Sequence, residues 1–156
     1  MKRKLVSLLA FILATTCAFG LTACDTLSEL FGNNEKNSFS EGSLLAAVEA
    51  VTDTMVAIKV EKAKEKTTHM DVMAYLQEEK ELSFKVVDGM VTEINGTANA
   101  ADWSACWMLY TSDTEMSNTA WGTCEYEGQN FGSAILGAEI LPVIDGGVYI
   151  WVYQEL

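Results

Sequence analysis

Apolar and polar positions change rhythm several times along the 156 residues. An apolar run covers Leu5–Ala14 and is diluted after that by Thr15, Thr16 and Gly20. Ser43–Thr52 places Leu44, Ala47, Val48 and Val51 at helical spacing behind Ser43, a suitable N-cap. This predicts a helix, with a strand over Val48–Val51 as the rival. Met55–Glu61 alternates Val56, Ile58 and Val60 onto one face and predicts a strand. Glu61–Lys66 reads as a charged, solvated turn. Thr67–Lys80 predicts a helix, because Thr68 and Asp71 have capping-box spacing and Val72, Met73 and Leu76 share a face.

From Leu82 onward the pattern turns to strands. Phe84–Val87 and Met90–Ile94 flank Asp88-Gly89, a pair suited to the positive φ of a type I′ hairpin turn. Asn95-Gly96 ends the second strand by the same chemistry. Thr97–Ala105 reads as a loop containing Trp103, and Trp107–Thr111 as a strand. Ser112–Gly122 is polar. Cys124–Tyr126 reads as a short strand turning at Glu127-Gly128, and Ser133–Val143 as a loop or short strand broken by Gly137 and Pro142. Asp145-Gly146-Gly147 turns the chain into Val148–Tyr153, which is apolar on both faces as expected of a central strand.

The N-terminus changes the picture of where this domain works. Lys2, Arg3 and Lys4 precede the apolar run, and Leu21-Thr22-Ala23 precede Cys24. This order predicts a signal peptide over residues 1–23 that ends in a lipoprotein cleavage motif. Cys24 would carry the acyl chains and anchor the chain at a membrane from the extracytoplasmic side. Residues 24–42 then form a polar tether, and 43–156 the folded domain. The whole chain carries a net charge of −12. Loss of three of the ten basic residues with the signal leaves seven against 22 acidic ones, a net of −15. No Lys, Arg or His occurs from Val86 to Leu156. Such a surface repels polyanions, so nucleic acid is not an expected partner.

Candidate chemistry is sparse. No G-x-S-x-G, H-E-x-x-H, phosphate-loop or G-x-G-x-x-G motif occurs, and no metal site is expected, so the sequence points away from an enzyme. His69, the lone histidine, reads as a first-turn surface residue. Cys106 and Cys124 are either a disulfide or two buried thiols. The aromatic set stands out, with all four tryptophans between Trp103 and Trp151. Trp103 and Trp121 fall in or beside polar loops, where binding and core roles weigh equally. Trp103, Trp107, Tyr110 and Trp121 are the candidate ligand contacts, offering stacking area.

The pieces MVTEING, a Trp followed by WMLY, and DGGVYIWVY make residues 67–156 resemble the transcobalamin-like C-terminal domain family. The resemblance implies an α+β, β-grasp-like domain with one main helix packed on a mixed sheet, of the soluble-ligand-binding type. In the vitamin carriers such a domain covers one side of a corrinoid, so a corrinoid or another small ligand is the implied occupant. The carriers' helical barrel is not expected here, and the β half has no His to approach a cobalt. The expected function is therefore a membrane-anchored, non-catalytic ligand-binding lipoprotein. The alternative is a cell-surface module that docks a protein or polysaccharide.

Overall fold

A computed structural model describes residues 43–156. The expected signal peptide, Cys24 and the tether lie outside the described residues. Nine strands and one helix follow in the order β1 (Leu45–Val51), β2 (Met55–Lys62), α1 (His69–Glu78), β3 (Phe84–Val87), β4 (Met90–Ile94), β5 (Thr97–Ala98), β6 (Ala105–Thr111), β7 (Ser117–Tyr126), β8 (Gln129–Ala134) and β9 (Val148–Glu155). Six strands form a sheet in the order β1-β2-β9-β6-β8-β7, and the other three form a smaller sheet β3-β4-β5. Every strand pairing is antiparallel.

This architecture overturns the expected α+β, β-grasp-like arrangement with a main helix on a mixed sheet. The described residues are mostly strand, in two antiparallel sheets, and the single helix is ten residues long. Three stretches account for most of the difference. Ser43–Thr52 is strand β1 rather than a helix, since pairing with β2 satisfies its backbone and turns Ala46 and Val48 inward. Short apolar runs fit either period, and here the adjacent alternating strand decides the outcome. Ser112–Gly122 supplies the larger part of β7, an edge strand with solvent on most of its length, where no apolar alternation is needed. Gln129–Ala134, likewise unmarked by pattern, is β8.

Other local expectations hold. Asp88 and Gly89 have φ of 50° and 78°, and Val87 pairs with Met90 across them. Asn95 and Gly96 also take positive φ, and they turn the chain into β5, making a second hairpin. Thr68 caps α1 in a reciprocal capping box with Asp71. Val148 opens a central strand, paired with β2 on one side and β6 on the other.

The sheet has two apolar faces, as alternation requires. On one face Val56, Ile58 and Val60 of β2, Trp107 and Leu109 of β6, and Tyr149 and Trp151 of β9 form the main core. Val72, Met73 and Leu76 of α1 and Val91 and Ile94 of β4 complete it. The opposite face carries a smaller cluster of Ala57, Tyr110, Phe131 and Ile150.

His69 is fully buried in the main core rather than on the surface. Its ring stacks on Tyr149 with centroids 4.8 Å apart, and Trp151 Nε1 donates to His69 Nε2 at 3.0 Å. An indole nitrogen can only donate, so Nε2 is the acceptor and the proton sits on Nδ1. Nδ1 has no hydrogen-bond partner. Burial drives the imidazole pKa from 6.5 down to about 3, so it is neutral at physiological pH.

Candidate functional site

The site starts from a mismatch between two strands. β6 pairs with β9 along its whole length, but with β8 only through Tyr110 and Thr111. The chain leaving β8 diverges from Ala105–Leu109, and a cleft of about 320 Å³ opens between them. Trp107, Met108 and Leu109 form one wall, and residues 133–138 the other. Gly89 and Met90 close it from the β3–β4 turn, and Asn99 and Trp103 from the β5–β6 loop.

Each wall is fixed by a specific set of bonds. Asn99 ties the loop to both neighbouring strands. Its side chain donates to Val91 O at 3.2 Å and accepts from Trp107 N at 2.9 Å, while its own N–H reaches Thr92 O at 2.8 Å. Trp107 is 5% exposed, packs edge-on against Tyr153, and donates its indole N–H to Thr97 O at 2.8 Å. The far wall is held by the start of α1. The N–H groups of His69 and Met70 lack helical acceptors, and they bond instead to Leu141 O and Ala138 O at 2.8 and 2.9 Å. The free donors of a helix end thus pin the segment that faces the cleft.

Trp103 is held differently. Its φ is +61°, a conformation that costs an L-residue roughly 1–2 kcal/mol. Asp102 builds the turn by accepting from Ser104 N and Oγ at 3.1 and 2.6 Å, and Trp103 N bonds Ala100 O at 2.9 Å. Those Ser104 bonds hold the Asp102 carboxyl below its ordinary pKa. Trp103 remains 45% exposed at the cleft mouth, next to Met90 at 53% and Ile135 at 38%. A strained, exposed, large aromatic gains nothing from its position through core packing.

The structure brings two of the four aromatic candidates together. Trp103 and Trp107 line the cleft, the first as an exposed contact and the second as a buried wall. Tyr110 lies on the opposite face, 3% exposed, and its hydroxyl donates to Gln154 Oε1 at 3.0 Å. Trp121 is also away from the cleft. The pairing of β7 with β8 jumps from Asn118–Ser133 to Thr123–Gly132, so residues 119–122 bulge out and Trp121 stands 64% exposed. A methyl built on Gly122 would lie 3.4 Å from the Tyr110 hydroxyl, so the bulge passes over Tyr110. Cys106 and Cys124 are free thiols, with no bridge between them. Burial raises both pKa values, that of Cys124 to about 11, so neither is an activated nucleophile at neutral pH.

Sequence reasoning missed Gly89, Met90 and residues 133–138. The Asp88-Gly89 turn had an ordinary explanation as scaffold, and nothing local showed that its tip would meet the strand after β8. Among the described residues no group of His, Cys, Asp and Glu is arranged to hold a metal ion, and no helix is long and apolar enough to cross a membrane. Comparison with family models, curated proteins and solved structures returns no match.

Proposed function

We propose that this chain is an extracytoplasmic lipoprotein, anchored through Cys24, whose β domain binds a small ligand in the cleft beside Trp103 without transforming it. The observation that carries the reading is Trp103 itself. The fold holds a large ring in a costly backbone conformation and leaves it half exposed over an apolar cavity. About 320 Å³ is at the small end of ligand sites, enough for a ring or one edge of a larger molecule. A corrinoid held by its edge is one such ligand, in keeping with the resemblance of MVTEING, WMLY and DGGVYIWVY to transcobalamin-like domains. The N-terminal Leu-Thr-Ala-Cys order supports the anchor.

A second reading, a surface module that docks a protein or polysaccharide, draws on the protruding Trp121. The two separate on titration. With cobalamin and small aromatic probes, the ligand-binding reading expects at least one saturable response in melting temperature and indole fluorescence that is lost in Trp103→Gly. At a hundredfold excess over Kd, binding stabilises by about 2.7 kcal/mol. A response that depends on Trp121 and survives Trp103→Gly would favour the docking module.

A further inference from the structure

Resting on the reading of this cleft as a ligand site, the structure assigns its ligand class: an organic cation, with an apolar body against Trp103 and an ammonium group beside Glu139. The lining residues run from Gly89 to Trp151, all inside the stretch that holds no Lys, Arg or His. Nothing in the wall can neutralise an anion.

Glu139 is an exposed carboxylate at the rim of the cleft. It follows Gly137 and Ala138, which line the cleft, and its carboxylate lies against Gly89 of the β3–β4 turn, which lines it too. A methyl built on Gly89 would lie 2.5 Å from Glu139 Oε2, so the carboxylate rests against a backbone that only glycine leaves open. The one salt bridge among the described residues joins Lys85 to Glu93, so Glu139 has no cationic partner there. Asp88 and Asp102, the residues before Gly89 and Trp103, add two more carboxylates next to lining residues.

The Asn99 oxygen accepts from Trp107 N, and one of its amide hydrogens is spent on Val91 O. The cleft offers mainly apolar contact and the negative face of the Trp103 indole, with a carboxylate at its rim, the combination that attracts a cation with a hydrocarbon body.

Three probes of one size test this on the full chain at pH 7 and low salt: benzylamine, which is protonated, benzyl alcohol and benzoate. Benzylamine should bind about threefold to tenfold more tightly than benzyl alcohol, and benzoate should bind more weakly than either. Glu139→Gln should bring benzylamine to within about twofold of benzyl alcohol while leaving the alcohol's affinity unchanged. Trp103→Gly should weaken both at least about tenfold, which separates the cleft from diffuse attraction to an acidic surface. Benzyl alcohol or benzoate binding as tightly as benzylamine in a Trp103-dependent manner would overturn the cation assignment and keep the site. The assignment is also overturned if the benzylamine preference survives Glu139→Gln. Absence of any Trp103-dependent response would remove the ligand site itself.

Discussion

Acid should destabilise this domain through His69. The unfolded chain takes up a proton on the imidazole as the pH falls through about 6.5, whereas the folded domain holds it neutral down to about 3. Above pH 6.5 neither state is protonated, and the residue's contribution is fully present. Between about 6.5 and 3 the unfolded state binds the extra proton, and stability drains away. At pH 4.5 the loss is about 3 kcal/mol, a large share of the stability of a small domain. The protonated ring would also face Trp151 Nε1 with a second donor, since Nε2 could no longer accept. Protonation of carboxylates works the other way by relieving a chain of net charge −12. The test therefore compares urea unfolding of the wild type and His69→Leu at pH 7.5 and 4.5. The variant loses the acceptor for Trp151 at both pH values. The wild type should lose about 3 kcal/mol of its advantage on acidification. A pH-independent difference would mean that His69 is not held neutral.

The second large effect separates the two tryptophans of the cleft. Trp107→Ala should cost about 3–5 kcal/mol, since it empties a core site and leaves Thr97 O without its donor. Trp103→Gly should leave stability unchanged or raise it by about 1 kcal/mol, because glycine takes φ of +61° without penalty. Its ligand affinity should nevertheless fall at least about tenfold, the loss of one aromatic contact. Thermal melts with titrations on both variants read this out. A Trp103→Gly protein that unfolds readily would show that the ring supports the fold rather than a ligand.

What the sequence revealed follows the range of the interactions. Asp88-Gly89 and the Thr68–Asp71 capping box depend on residues within a few positions, and both appear as expected. The buried face of α1 was legible through Val72, Met73 and Leu76. His69 continues that stripe at 69, 72, 73 and 76, the i, i+3, i+4, i+7 spacing of a core face. That spacing was the available signal for its burial, and the polar side chain obscured it. β1 was open to either reading, β7 was legible only at its end, Cys124–Tyr126, and most of β8 was hidden, because their strand state is decided by neighbours in the sheet. The cleft shows the same limit. Trp103 stood out as an aromatic in a polar loop, but its neighbours Met90 and Ile135 come from distant turns that only the fold brings near.

The measurement closest to the central claim is a nitrogen–proton NMR titration that follows the indole N–H of each tryptophan while benzylamine is added. Trp103 should shift saturably, together with the side-chain amide of Asn99, while Trp121 stays in place. If Trp103 stays still up to the solubility limit of the probe, or if Trp121 alone moves, the cleft is not the binding site.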